Sequence, residues 1–213
     1  MAESEYLLTN AEPETGDRFS GLEQTFDEVS IANLERLDVP VGARCLEVGA
    51  GSGSIARWFA GRVGPTGRVL ATDLDTRWFH HDGSPQLEVR ELDLVGDPIP
   101  DGPWDVIHER LVLQHIPDRL AVLDRLVAAL APGGWILVED FDTAEVRTTD
   151  RCSTPIDASS AAGLQIAGNP TEGIALPRRT TANFGIGSPD RSSAAFTTCF
   201  RRQSDVVQLE LPL

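Results

Sequence analysis

The sequence predicts an α/β protein with a doubly wound, mostly parallel sheet and helices on both faces. Three observations predict it. Short apolar runs alternate with helix-spaced apolar positions, a glycine-rich turn joins the first run to the first of those helices, and acidic residues close successive runs. A chain of 213 residues with 41% apolar and 24% charged side chains suffices for one domain with a real core.

Each element has a local reason. In an N-terminal helical segment, residues 1–40, the positions Phe19, Leu22, Phe26, Val29, Ile31, Leu34 and Leu37 are spaced for one or two amphipathic helices. These pack beside the sheet or cover a pocket. Residues 44–48, Arg-Cys-Leu-Glu-Val, read as a short buried strand that breaks into Gly49-Ala-Gly-Ser-Gly53. Ile55, Trp58 and Phe59 then give residues 54–62 a helical spacing. A second strand over 68–73 follows the Gly-Pro-Thr-Gly turn at 64–67, a third covers 87–93 and a fourth 104–108. Asp118 is placed to cap a helix carrying Leu120, Leu123, Leu126, Val127 and Leu130. That helix stops at Ala-Pro-Gly-Gly, residues 131–134, before a fifth strand over 135–139.

Charge narrows the partners. The formal net charge is −15, and residues 1–142 carry all of it, with 26 acidic and 11 basic side chains against seven of each in the last 71 residues. Such a surface repels phosphate backbones and anionic lipid, so neither nucleic acid nor a membrane is expected as a partner. No apolar run approaches a membrane span, and the acidic N-terminus is unlike a signal peptide, which predicts a soluble, cytoplasmic protein. Cys45, Cys152 and Cys199 are too scattered for a disulfide framework or metal site and read as buried or incidental thiols. His80, His81 and Asp82 diverge on a turn with no third ligand at metal spacing, so no metal is expected.

The glycine turn has a recognisable physical use. Missing side chains let a ligand approach the backbone, and the following helix N-terminus offers N–H groups and a positive dipole end. Gly51-Ser-Gly53-Ser-Ile-Ala56 also satisfies the GxGxxA dinucleotide fingerprint, so an NAD-dependent oxidoreductase stands as one reading. Acidic partners favour another. Glu47 lies two residues before the first glycine, Asp73 ends the second strand and Asp93 ends the third. Neighbouring carboxyl ends of a doubly wound sheet converge on one crevice, so these three carboxylates share a site suited to an ammonium, a ribose diol and an adenine amine. Asp75 reads as a helix cap for Thr76 onward.

At this point residues 44–142 resemble the class I S-adenosylmethionine-dependent methyltransferases of the small-molecule type, with an E/DxGxGxG loop. The matching stretches are Leu46-Glu-Val-Gly-Ala-Gly-Ser-Gly53, Ala71-Thr-Asp-Leu-Asp75, Glu91-Leu-Asp-Leu94, Trp104-Asp-Val-Ile-His108 with Leu113-Gln-His-Ile-Pro117, and Leu130-Ala-Pro-Gly-Gly-Trp-Ile-Leu-Val138. The resemblance implies a Rossmann-like domain over 41–142 that binds S-adenosylmethionine. It implies that Glu47 and the backbone of Gly49, Gly51 and Gly53 hold the methionine end. Asp73 would then bind the ribose hydroxyls and Asp93 the adenine amine, with Leu74 and Leu94 sandwiching the adenine ring. The chemistry agrees, since a carboxylate accepts two hydroxyl protons and apolar side chains suit an aromatic base.

Methyl transfer from a sulfonium is an in-line displacement, so the protein chiefly aligns the nucleophile of a small-molecule acceptor. Where a base is needed, His115 and His108 are the catalytic candidates, with Glu109 beside them; packing or a backbone hydrogen bond is the plainer role for either ring. Arg110 is a candidate for the cofactor carboxylate or a substrate anion, or for a surface ion pair.

Residues 143–213 depart from the family pattern. Gly and Pro interrupt every candidate helix, Ser and Thr are abundant, and only residues 205–211 read as a strand. The C-terminal strands are therefore expected to be incomplete, and the tail reads as a loosely ordered extension or as translation in a shifted frame. The degraded tail keeps open a non-catalytic cofactor-binding relic or regulatory module.

Overall fold

Residues 15–141, 195–203 and 206–209 are described by the computed structural model. The sheet has seven strands in the order β3-β2-β1-β4-β5-β6-β7. Its parallel part comprises β1 (Arg44–Val48), β2 (Arg68–Asp73), β3 (Leu87–Glu91), β4 (Trp104–Arg110) and β5 (Leu130–Phe141). With β1 central, β2 leaves it on one side and β4 on the other, so the order reverses between β1 and β4. A crevice forms above the carboxyl ends at such a switch point.

Helices cover both faces. α1 (Thr15–Arg36) and α2 (Ser54–Val63) lie on one, where Leu34, Leu37, Ile55, Phe59 and Val63 pack on Cys45, Val69, Ala71, Val106 and Leu137. α3 (Arg119–Ala128) lies on the other, where Val122, Leu123 and Leu126 meet Leu46, Val48, Ile107 and Ile136. Alternate residues of each strand thus supply two separate cores. The Cys45 thiol is free and buried, and burial pushes its pKa up.

Several boundaries differ from the sequence reading. β3 ends at Glu91, so Asp93 lies two residues beyond the strand rather than closing it. β5 begins at Leu130, since the Pro-Gly-Gly stretch is taken up as an irregularity where the β4 register shifts between Trp104 and Val106. Asp118 occupies the N-cap position of α3 without a side-chain capping bond. The upstream stripe is one continuous helix of 22 residues.

The expectation of an incomplete C-terminal edge is corrected. β6 (Ala195–Gln203) pairs antiparallel with β5, and β7 (Val206–Leu209) pairs antiparallel with β6. The sequence of β6 carries Phe196, Thr197, Thr198 and Phe200, residue types that favour strands, where the sequence reading found only the segment from 205. The remainder of the 143–213 tail, with Cys152, lies outside the described residues, as do both readings placed on it.

Phe59 is fully buried in the α2 core, with its ring edge-to-face on Trp58 and on His108. Phe59→Ala is expected to lower unfolding stability by about 3–5 kcal/mol in urea melts. A loss below about 1 kcal/mol would mean that α2 is not packed on the sheet as described.

Candidate functional site

β1 delivers the chain into the glycine turn, and the turn is made by backbone that only glycine adopts readily. Gly49 has φ 67° and Gly53 φ 91°. Both are also closely overlaid, since a Cβ on Gly49 would lie 2.2 Å from Val112 Cγ2 and one on Gly53 2.4 Å from the Phe79 ring. Gly51 faces the Phe19 ring of α1 at 3.3 Å from the position of its missing Cβ. The turn is pinned from β2, where Thr72 O accepts from Ala50 N at 2.9 Å and Asp73 Oδ2 accepts from Gly51 N at 2.8 Å.

Asp73 is therefore joined to the glycine turn, as the shared-crevice reading requires. Its other oxygen accepts from Asp75 N at 3.1 Å, and burial pushes its pKa up against the pull of these N–H groups. Asp75 caps the short 3₁₀ turn Thr76–Trp78 and is paired with Arg77, which holds its carboxyl below the usual range. Asp93 is half-buried and accepts from Val95 N at 2.9 Å, closing its own turn. No hydrogen bond links Asp93 with Glu47 or Asp73 among the described residues. Leu74 is 53% exposed, whereas Leu94 is buried in the α3-side core.

Glu47 and His108 are direct cross-strand partners between β1 and β4. Glu47 Oε2 lies 2.8 Å from His108 Nδ1, and the opposite ring nitrogen lies 3.1 Å from Glu139 Oε2 on β5. Glu139 accepts in addition from Ser30 Oγ and, at 2.9 Å, from Asn33 Nδ2, both on α1. Burial opposes charge on this ring, yet the attraction of Glu47 and the bonds to both carboxylates outweigh it and push the His108 pKa up to about 10. Both ring nitrogens donate, and His108 is a buried imidazolium at neutral pH. That corrects the reading of His108 as a catalytic base, because the ring is enclosed and already protonated.

His115 ends the 3₁₀ turn Leu113–His115 and is half-buried. Burial, with the Arg18 charge adding to it, holds its pKa below the ordinary imidazole value, so the ring is neutral at pH 7. Arg110 donates to Asp27 Oδ1 at 2.9 Å and to Ser30 Oγ at 3.1 Å on α1. Nη1 of its guanidinium is thus tied to the helix that overlies the turn, the ion pair that stood beside the anion-anchor reading. The same helix reaches the turn through Glu23 on Ser52 and Asp27 on Ser54.

Sequence reasoning missed Glu139, Ser30 and Asn33. Their signal was polar residues on faces otherwise filled by apolar ones. It also missed a second acidic pair on the α3 side of the sheet. Glu109 Oε2 accepts from Val112 N and Leu113 N, while Glu109 Oε1 is buried with no hydrogen-bond partner among the described residues and the Asp140 carboxyl is buried near the Val112 and Gln114 N–H groups. Burial pushes Glu109 well up, with the Asp140 charge adding to it, and burial pushes Asp140 up to about 7. The folded protein thus keeps a proton that the unfolded chain releases near pH 3.8. Its stabilising contribution is complete below that pH and is lost as pH rises through about 7. Urea midpoints measured from pH 4 to 8 are expected to fall less steeply for Asp140→Asn than for the wild type. Equal slopes would show that Asp140 is ionised throughout.

A central β1 that runs through a glycine turn into a helix, with carboxylates at the ends of β1 and β2, defines a Rossmann-like nucleotide-cofactor fold. The model of the family described as "Methyltransferase domain" matches residues 22–169, and the chain belongs to that family. S-adenosylmethionine is the cofactor that this membership carries, which sets aside the NAD reading of the GxGxxA stretch. Among curated relatives, methyltransferase str2 of Strobilurus tenacellus is 38% identical over 114 residues, 53% of this chain and 40% of its own length. Methyltransferase str3 of the same organism is 34% identical over 145 residues, 66% of this chain and 50% of its own. The chain spans about half the length of the curated relatives it matches. A crystal structure of a SAM-dependent methyltransferase from Aquifex aeolicus shares the fold, with a TM-score of 0.51 at 20% identity over 70% of this chain and 78% of that one. No described helix is long and apolar enough to cross a membrane.

Proposed function

We propose that this chain binds S-adenosylmethionine at the carboxyl edge of β1, β2 and β4 and transfers its methyl group to a small-molecule acceptor. The observation that carries the proposal is the Asp73 carboxylate hydrogen-bonded to Gly51 N, which ties the acid ending β2 to the turn that follows β1. The residues present fit the cofactor's chemistry. Glu47 has its Oε2 on His108 and its Oε1 for an ammonium, Asp73 suits a diol, and Leu74 is an exposed apolar side chain for a base. The glycine turn brings the backbone close to Asp73, with Ala50, Gly51 and Gly53 N–H groups already bonded inside the protein.

When bound, the cofactor supplies the electrophilic methyl of a sulfonium. The chain's own part is to orient and desolvate. α1 covers the turn through Phe19 and holds Ser52 and Ser54 through Glu23 and Asp27. His115, kept neutral by burial, is the group we assign to accept a proton from the acceptor. Asp93, whose Oδ1 also accepts from Val95 N, is assigned to the adenine amine, with Leu94 next to it in the chain. Residues 41–142 carry the cofactor-binding strands, α1 covers them, and β6 and β7 extend the same sheet. The net charge of −15 supports a small-molecule acceptor over nucleic acid, in a cytoplasmic setting.

Calorimetric titration with S-adenosylhomocysteine tests the proposal. The wild type is expected to bind it, and Asp73→Asn to bind about 10- to 100-fold more weakly, the cost of charge-assisted hydrogen bonds to a diol. Binding of NAD in its place would overturn the proposal. Binding without methyl transfer to any small-molecule acceptor would turn it toward a regulatory cofactor-binding module.

A further inference from the structure

A fully buried histidine between two carboxylates is an expensive way to fill the space between β4 and α1. Phe59 already meets the ring edge at a centroid distance of 6.4 Å, and an apolar residue would pack there without losing hydration. Buried ion triads are commonly no better for stability than apolar replacements. Position gives this triad a different meaning, since His108 stands opposite Glu47 at the point where the strand order reverses.

Resting on the cofactor reading above, we propose that His108 is a positioning residue for the amino-acid end of S-adenosylmethionine: it holds Glu47 by Oε2, so that Oε1 is presented to the ligand's ammonium. The ring cannot turn away, because its other nitrogen is held by Glu139. Glu139 is in turn fixed by Ser30 and Asn33, so the hold on Glu47 runs back to α1. A continuous hydrogen-bonded path thus links the covering helix with the carboxylate at the start of the glycine turn.

Charge counting gives the same role. Two carboxylates and one imidazolium leave a single negative charge, which one ammonium neutralises. Without the imidazolium, two buried carboxylates would face each other across β4, and one would take up a proton or rotate toward solvent. The other groups around the ring leave this balance intact. Ser30 and Asn33 of α1 are neutral, Phe59 of α2 is apolar, Asp27 of α1 is paired with Arg110, and Glu109 lies on the opposite face of β4. Cys45 of β1 stays a neutral thiol.

The test is calorimetric titration of S-adenosylhomocysteine into wild type, His108→Gln, Glu47→Gln and the double variant, with thermal melts as the control on folding. His108→Gln is expected to bind about 10- to 100-fold more weakly. The double variant is expected to bind no worse than Glu47→Gln alone, because the histidine acts through Glu47. In methyl-transfer assays the loss should fall on the KM for S-adenosylmethionine. Nitrogen NMR of the wild-type imidazole reads the same claim without a variant, and a doubly protonated ring at pH 8 is expected. Wild-type binding with His108→Gln within twofold of it, additive losses in the double variant, or a neutral ring at pH 8 would each overturn the inference and leave the cofactor reading standing. Failure of the wild type to bind S-adenosylhomocysteine would instead overturn the cofactor reading.

Discussion

The pairing of Glu47 with His108 across β1 and β4 is the interaction that ties the start of the glycine turn into the sheet. Glu47 is one residue short of the end of β1, and the glycine turn begins two residues after it. Whatever fixes Glu47 therefore fixes the origin of the turn. Parallel pairing sets the two residues side by side on one face, and the reversal of strand order places a crevice directly above them. At that depth a charge survives only if it is paired, and the ring is paired twice.

The two faces of the sheet solve the problem of buried acids differently. On the α1 side Glu139 meets an imidazolium and two neutral donors, and despite its burial its carboxyl is held below the usual range. On the α3 side Glu109 and Asp140 have no cation in hydrogen-bond contact, and both are pushed up. Adjacent residues of β5 thus sit in opposite protonation regimes, because strand alternation sends Glu139 toward His108 and Asp140 toward Glu109. The first arrangement keeps a fixed charge near the carboxyl edge of β1 and β4. The second holds the Val112–Leu113 backbone with one oxygen of Glu109, and Val112 is the residue that closes over Gly49.

Most of the parallel sheet was legible because its strands are short apolar runs bounded by Gly, Pro or acid. The glycine turn and Asp73 were legible for the same local reason. What failed depended on tertiary partners. Arg110 stood between an anion anchor and an ion pair until Asp27, 83 positions away, was placed beside it. His108 looked titratable until two carboxylates enclosed it. Leu94 follows Asp93 in a stretch that resembles an adenine clamp, yet chain direction after β3 turns it into the α3-side core. The fifth strand was read as ending at Glu139, and only the pairing of β5 with β4 shows that Glu139 and Asp140 are both buried. In β6, Thr and aromatic residues that favour strands were present in sequence, but frequent Ser, Gly and Pro nearby obscured them.

The sequence left open whether the N-terminal apolar stripe packs on the sheet or covers the site, and the length of the helix removes the choice. At about 1.5 Å per residue a helix of 22 residues extends roughly 33 Å, enough to cross both regions. Its last turns anchor Leu34 in the α2-side core, with Leu37 packed just beyond the helix end. Ser30 and Asn33 then engage Glu139, while Asp27, Glu23 and Phe19 engage Arg110, Ser52 and Gly51 in succession toward the N-terminus. One stripe thus passes from apolar burial to polar contact along its length. Polar contacts exchange with water at small net cost, whereas buried leucines do not. The hold of α1 on the domain is therefore strongest at its C-terminal end and weakest over the glycine turn, and the Glu139–His108–Glu47 path joins it to the site between those two extremes.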